Sequence, residues 1–328
     1  MPKVVLVEPM APIATELFTA RGFDIVQLPE APAHDAILEA ARDADALAVR
    51  IAKLPADIIE AAPSLKVVAK HGVGTDNIDV ASCTAHRIPV TVTADANKTS
   101  VVEHTLMFML ALAKKLVPLD RATRDGDFTI RSRPDGFGVD LGGRTALLVG
   151  GGRIGSALVP VLRALGMTVI VSDHAFGPED ATRLQCERVD DFREHLSRAD
   201  FLSVHVPLTA ETRGLVGSRE LDALPSHAFV INCARGGIVD ETALLEALDG
   251  EHIAGAATDV FDGEPPAPDH PFFTCDKILL APHAGGNTLE CLDRMARATA
   301  ENIIAAFDGT LERRLVVNPE VLKANGSD

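Results

Sequence analysis

Along the first ninety residues, short apolar runs alternate with Ala-rich stretches whose apolar positions recur at helical spacing. The runs KVVLVE (3–8), FDIVQL (23–28), ALAVRI (46–51), LKVVAK (65–70) and IPVTV (88–92) read as strands. Between them, APIATELFTA, HDAILEAARD and PADIIEAAP read as helices. Such alternation predicts a parallel sheet with helices on both faces.

The stretch NKTSVVEHTLMFMLALAKKLVPL (97–119) is apolar nearly all round, with Lys114 and Lys115 near its end and Pro118 beyond. A helix without a polar face is expected to be buried between domains or subunits. The polar, glycine-bearing segment 124–143 is expected to be a loop. From residue 144 a second, more regular series begins: TALLVG, MTVIVSD, FLSVHV, AFVINC, IAGAATDV and KILLAP. Six strands in strand–helix alternation fit a dinucleotide-binding domain. One more helical stretch, TLECLDRMARATAENIIAAFDG (288–309), and a polar tail follow.

A length of 328 residues makes two domains the natural expectation. The formal charge of −16 argues against a nucleic-acid partner, since phosphate binding needs basic patches. It leaves an anionic small-molecule substrate open, because a local pocket can be positive on an acidic protein. Cys83, Cys186, Cys233, Cys275 and Cys291 are odd in number and form no CxxC, so reduced thiols are expected rather than disulfides or a zinc site. The start MPKVVLVEPM has one Lys and then a strand-like apolar run, broken by Pro9, that is too short for a signal h-region, and no run approaches the ~18 apolar residues of a membrane span. A cytoplasmic protein with no membrane contact and no metal is expected.

ALLVGGGRIGSALVPVLRALGMTVIVSD places Gly150-x-Gly152-x-x-Gly155 between a strand and a helix, with a second strand after it. In a dinucleotide fold such glycines allow a tight turn, room for pyrophosphate and close helix–strand packing. The helix N-terminus supplies free N–H groups and a positive dipole end for phosphates. Asp173, eighteen residues past Gly155, can accept hydrogen bonds from a ribose 2′-hydroxyl and would repel a 2′-phosphate, so NAD is expected over NADP. Pro160 falls inside the expected helix and should kink or shift it.

Three segments then set a titratable residue just beyond an apolar strand: VINCARGG with Arg235, ATDVFDGEPP with Glu264, and LLAPHAGG with His283. Ligands of open α/β sheets bind outside the carboxyl ends of the strands. Singly, these residues read as a surface cation, a turn acid and a turn histidine. Arriving together after a dinucleotide unit, they form a coherent acid–base set.

In order along the chain, KHGVGTDNID (70–79), NKTSVVEHT (97–105), GGGRIG (150–155), HVPLTAETRGLV (205–216), INCARGGIVDETAL (231–244), TDVFDGEPP (258–266) and APHAGG (281–286) complete the pattern. Their succession resembles the D-isomer-specific 2-hydroxyacid dehydrogenase family over almost the whole chain. The resemblance implies a two-domain α/β protein. A Rossmann-type NAD-binding domain, 97–287, would interrupt a flavodoxin-like, discontinuous substrate domain, 1–96 with 288–328, with the substrate cleft at their junction.

It also implies Arg235, Glu264 and His283 as the catalytic set. Asp259 and the run Cys233–Ala234–Arg235 would lie near the nicotinamide. Further cofactor contacts are implied for Thr93, Gly150, Gly152, Arg153, Ile154, Gly155 and Asp173. Val206, Pro207, Thr212, His283, Gly285 and Gly286 complete that set. The turn Gly72-Val73-Gly74 would bind the substrate carboxylate through backbone N–H groups, and Asn97 would join the substrate site. Arg50 and Lys70 could meet a second anionic group, or could equally be surface charges.

The implied reaction interconverts a D-2-hydroxy acid and its 2-keto acid with NAD, on substrates such as 3-phosphoglycerate, hydroxypyruvate or glyoxylate. His283 would move the proton, Glu264 would support it, and Arg235 would grip the carboxylate and polarise the carbonyl. A homodimer is expected, and no regulatory domain is expected after residue 328. Two rivals share the fold: an NAD(H)-sensing corepressor-like protein and a formate dehydrogenase. Gly151 and Ala284 stand where the family usually carries larger residues, and 124–138 lacks a Trp that many relatives have.

Overall fold

Strands that are apolar on both faces must be covered on both faces, and this chain meets that need twice. The structure is a computed structural model that describes residues 1–322 and divides into two units. One comprises Met1–Asn97 and the segment from Asn287 onward; the other is Lys98–Gly286. Residues 323–328 of the expected substrate domain lie outside the described residues.

In the first unit, β1 (Lys3–Leu6), β2 (Asp24–Gln27), β3 (Ala46–Val49), β4 (Val67–Lys70) and β5 (Val90–Val92) form a wholly parallel sheet. Its order is β2-β1-β3-β4-β5, so the chain reverses direction across the sheet between β1 and β3. The intervening helices are α1 (Pro12–Ala20), α2 (His34–Ala41), α3 (Ala56–Glu60) and α4 (Val80–Ala85). The short helix α4 was not among the expected elements. VASCTA has no helical apolar period, and its start is set by the Asp79 carboxylate accepting the Ser82 N–H at 2.8 Å. The C-terminal helix Leu289–Asp308 returns to this unit because Ala296, Ala300 and Ile303, one helical stripe, pack with Val4, Leu6, Phe18 and Ala46.

The second unit holds β6 (Thr145–Val149), β7 (Thr168–Ser172), β8 (Glu187–Val189), β9 (Phe201–Val204), β10 (Phe229–Asn232), β11 (Gly255–Thr258) and β12 (Ile278–Leu280). All pair in parallel, in the order β12-β11-β10-β9-β6-β7-β8. Seven strands replace the expected six. The extra one, β8, is an edge strand of sequence ERV with only Val189 buried, so it carries no apolar run.

The helices of this unit are α5 (Lys98–Ala113), α6 (Leu116–Arg124), α7 (Arg153–Ala164), α8 (Pro178–Leu184), α9 (Ser218–Asp222) and α10 (Glu241–Asp249). Where one helix ending before Pro118 was expected, the chain breaks at Lys115, in the left-handed region with φ 52°, and starts again as α6. Pro118 then lies in a first turn, where its missing N–H costs no hydrogen bond. The expected loop 124–143 contains two short 3₁₀ turns, Phe128–Ser132 and Pro134–Gly136, the first capped by Asp127 accepting the Thr129 N–H. Pro160 lies inside α7, as expected, and the helix continues past it to Ala164 with the proline on its exposed side. There, solvent can meet the carbonyl that the proline leaves without a partner.

Helix α5 buries Val101, Val102, Phe108 and Met109 in the core it shares with α7 and β10. Met107 and Leu110 of the same helix stay exposed in this unit, as do Leu116, Val117, Phe128 and Phe137. No helix among the described residues is long and apolar enough to cross a membrane.

Candidate active site

Because all seven strands of the second unit run parallel, their carboxyl ends share one edge. The glycine turn follows β6, Asp173 follows β7, His205-Val206-Pro207 follows β9, Cys233-Ala234-Arg235 follows β10, Asp259 follows β11, and His283 follows β12. The β6–β9 neighbours, consecutive in space but not in sequence, mark the reversal where such sheets bind nucleotides.

Gly150 sits at φ 108°, and a Cβ there would come within 2.5 Å of the His205 carbonyl oxygen. A Cβ on Gly155, in the first turn of α7, would come within 2.1 Å of the Gly150 oxygen, so neither position accepts a side chain. Gly152, by contrast, faces open space at the N-terminus of α7, ahead of Arg153 and the half-buried Ile154. A pyrophosphate could approach the backbone there and meet the free N–H groups of the helix. The Asp173 carboxylate is anchored beside this turn by the N–H of Gly151 at 2.8 Å and of Ala175 at 2.7 Å. These features fit a dinucleotide. Gly151 owes its lack of a side chain to Phe176, whose buried ring lies 2.7 Å from where a Cβ would stand.

His283 is held at φ 54°, the left-handed region that a residue with a side chain seldom enters. Asp259 imposes it. The Asp259 carbonyl accepts the His283 N–H at 2.7 Å, and its carboxylate accepts those of Ala284 at 2.6 Å and Gly285 at 2.8 Å. Asp259 is only 2% exposed. Burial works against its charge, but His104 and the two N–H groups outweigh it and hold the carboxyl below its ordinary range. A Cβ on Gly285 would press on that carboxylate at 3.0 Å, and Gly286 ends the unit.

So fixed, His283 turns its Nδ1 to Glu264 Oε2 at 2.7 Å, while Glu264 Oε1 accepts the Phe261 N–H at 3.1 Å. A carboxylate on Nδ1 keeps the ring proton there in the neutral form and leaves Nε2 as the base.

Arg235 follows a turn closed by Asn232, whose side chain accepts the Ala234 N–H and donates to the Arg235 carbonyl. The guanidinium reaches the Ala234 carbonyl at 2.7 Å. The neighbouring Cys233 is buried, and burial pushes its thiol up to about 12, so it is inert as a nucleophile. Thr212 Oγ1 donates to the Pro207 carbonyl at 2.6 Å and shapes the loop after β9, where Val206 packs on the core.

The remaining site candidates lie in the first unit. Arg50 and Lys70 are tied into a backbone network: Lys70 Nζ donates to the Arg50 carbonyl and, at 2.6 Å, to Asn77 Oδ1. Arg50 Nη1 donates to the Pro9 carbonyl at 2.9 Å, and the buried Glu8 carboxylate accepts the N–H groups of Arg50, Ile51 and Ala52. Thr93 Oγ1 accepts the Gly72 N–H at 3.0 Å and donates to the Gly72 carbonyl at 3.1 Å, clamping the Gly72-Val73-Gly74 turn. Gly72 needs φ 142°, and Val73 is exposed. Asn97 is half-buried at the last position of this stretch.

Sequence reasoning did not single out four residues. His71 is buried beside the Gly72 turn, and among the described residues nothing hydrogen-bonds its Nε2. His104 on α5 places Nε2 3.4 Å from Asp259 Oδ1, an ion-pair distance with no closer polar partner among the described residues. Glu241 and His270 meet at 3.1 Å. Three of the four lie within the motifs quoted above, and only the folded chain shows what they touch. Among the described residues, no group of three or more His, Cys, Asp or Glu side chains could hold a metal ion.

Residues 106–285 match the family described as D-isomer specific 2-hydroxyacid dehydrogenase, NAD binding domain. The chain is 37% identical over 322 residues to a D-3-phosphoglycerate dehydrogenase of Methanocaldococcus jannaschii, a match covering 98% of this chain and 60% of that relative. It is also 37% identical over 294 residues to a glyoxylate reductase of Korarchaeum cryptofilum, covering 89% and 88%. A solved protein of Thermus thermophilus superposes with a TM-score of 0.87 at 32% identity, over 96% of this chain and 99% of that one.

Proposed function

The chain belongs to the D-isomer-specific 2-hydroxyacid dehydrogenase family, and on that premise we propose that it interconverts a D-2-hydroxy acid and its 2-keto acid. The observation that carries this reading is the 2.7 Å bond between His283 Nδ1 and Glu264 Oε2 on the sheet edge that also bears the glycine turn. Gly150, Gly152, Gly155 and Asp173 would hold NAD, which when bound supplies the hydride acceptor or donor.

The chain itself manages charge and protons. In oxidation, His283 takes the hydroxyl proton at Nε2 and becomes imidazolium, which the Glu264 carboxylate stabilises. In reduction the same Nε2 returns the proton to the developing alkoxide. Arg235 grips the substrate carboxylate with its planar fork and polarises the carbonyl. The Gly72-Val73-Gly74 turn, whose Gly72 N–H is taken up by Thr93 Oγ1, would offer the N–H groups of Val73 and Gly74 to a substrate carboxylate. The likeness to a D-3-phosphoglycerate dehydrogenase and a glyoxylate reductase supports small, anionic 2-hydroxy acids as the substrate class.

A homodimer is part of this proposal. Met107, Leu110, Leu116, Val117 and Phe128, on α5, α6 and the turn after them, are each exposed on one unit, and we infer that they form an apolar face of the kind ordinarily covered in two-fold dimers. Leu116→Glu is expected to yield monomers in analytical ultracentrifugation; an unchanged dimer would remove this face from the interface. Cytoplasmic residence is proposed from the scattered cysteines, all free in the structure.

The test follows NADH loss with hydroxypyruvate, glyoxylate, phenylpyruvate and 3-phosphohydroxypyruvate. Turnover on at least one is expected. NADH binding with no turnover on any would instead favour an NAD(H)-sensing binding protein.

A further inference from the structure

Glu264 stands in a segment, residues 259–270, that is neither helix nor strand. Burial does not fix it either: the side chains of Glu264 and His283 are 36% and 46% exposed. The Phe261 N–H holds Glu264 Oε1 at 3.1 Å, but Phe261 belongs to the same irregular loop, so the loop itself needs a support from outside it.

Glu241, the first residue of α10, reaches that loop from outside on both sides of Glu264. Its Oε1 accepts the Asp262 N–H at 2.8 Å, and its Oε2 meets His270 Nε2 at 3.1 Å. His270 Nδ1 accepts the Phe272 N–H at 3.3 Å, so its ring proton belongs on Nε2, where it is donated to Glu241. The His270 ring is wedged edge-on against Phe261 and Phe272, with centroids 5.4 Å and 4.9 Å away. Glu241 and His270 are 21% and 14% exposed, far less than the pair they flank.

The same contact region supports Arg235. Gly236 lies so close to Phe261 that a Cβ would fall 1.8 Å from the Phe261 carbonyl oxygen, and Arg213 pairs with Asp262 at 3.2 Å. The loop carrying Arg235 therefore packs at Gly236 on the same Phe261–Asp262 segment that Glu241 holds.

We propose that Glu241 and His270 are positioning residues, a strut that holds the Glu264 carboxylate against His283 Nδ1 and so keeps Nε2 free for the substrate. The proposal rests on His283 and Glu264 being the acid–base pair.

The experiment uses the full chain labelled with 15N at histidine. Long-range 1H–15N NMR reports which nitrogen of the neutral His283 ring carries the proton, with its signals identified by their loss in His283→Gln. The wild type is expected to carry it on Nδ1, and Glu264→Leu to release the ring toward the Nε2–H form that free imidazole prefers. Glu241→Ala and His270→Asn are expected to move His283 the same way. They should lower kcat about 10-fold while the KM for NADH stays within about twofold. His270→Gln, whose amide nitrogen falls where Nε2 stood, is expected to restore the Nδ1–H form and most of the activity.

If Glu264→Leu moves the proton but Glu241→Ala and His270→Asn leave it on Nδ1, the strut is overturned and the acid–base pair survives. A His283 ring unmoved by Glu264→Leu overturns the pair and the strut together. Should Glu241→Ala fail to fold, the His270→Asn and His270→Gln comparison decides.

Discussion

Glu264 Oε2 lies 2.7 Å from His283 Nδ1, although the two residues are nineteen positions apart and leave different strands. The contact assigns the two ring nitrogens different work, one facing the acid and the other left for substrate. His283→Ala is therefore expected to lower kcat by ~10²–10⁴ with NADH affinity nearly unchanged. Stopped-flow turnover and NADH fluorescence titration measure the two separately, and near-normal turnover would take His283 out of the proton step.

Asp173 is anchored by the N–H groups of Gly151 and Ala175, which leaves its charge at the end of β7 where a ribose would lie. Asp173→Ala is expected to relax discrimination against NADPH, read as the ratio of kcat/KM for the two cofactors. An unchanged ratio would mean another group reads the ribose.

Gly151 and Phe176 fill one space between them. Gly151→Ala would set a methyl 2.7 Å from the buried ring, so a loss of about 1–3 kcal/mol in stability is expected. Made in a Phe176→Gly background, the same change should cost little, because the ring and the Phe176 Cβ, which stands 2.8 Å away, are then both gone. Equal costs in both backgrounds, measured by urea unfolding, would refute the pairing.

His71 gives the protein an acid-sensitive element. Burial first, and the charge of Arg50 second, push its ring down to about 4 from an ordinary 6.5. Between those values the unfolded chain takes up a proton that the folded chain refuses. Stability is thus complete above about pH 6.5 and falls as the pH drops toward 4, by roughly 3 kcal/mol for this ring. His71→Gln is expected to flatten Tm against pH in that window. His205, pushed to about 4 by burial, contributes with the same sign in both proteins and cancels from the comparison. Parallel slopes would clear His71 of the effect.

Elements legible in the chain were those with an unbroken apolar signal. β6, β7, β9, β10, β11 and β12 each lie within an apolar run, because strands covered on both faces must be apolar on both. β8 escaped notice because its residues are mostly polar, and α4 because a cap rather than a period starts it. α6 escaped because Lys115 adopts a conformation that no composition announces.

By itself, the sequence determined two parallel α/β sheets, the glycine turn at the end of β6 and the three titratable residues that follow strand ends. Those features are local: a run of apolar residues and what terminates it. Only the tertiary structure decided that Asp259 bends His283 into the left-handed region, that Glu264 meets Nδ1, and that Glu241 and His270 flank the loop between them. Irregular loops have no period to read, and their shape is set by hydrogen bonds to residues distant in the chain, which exist only once the sheet has brought its carboxyl ends together.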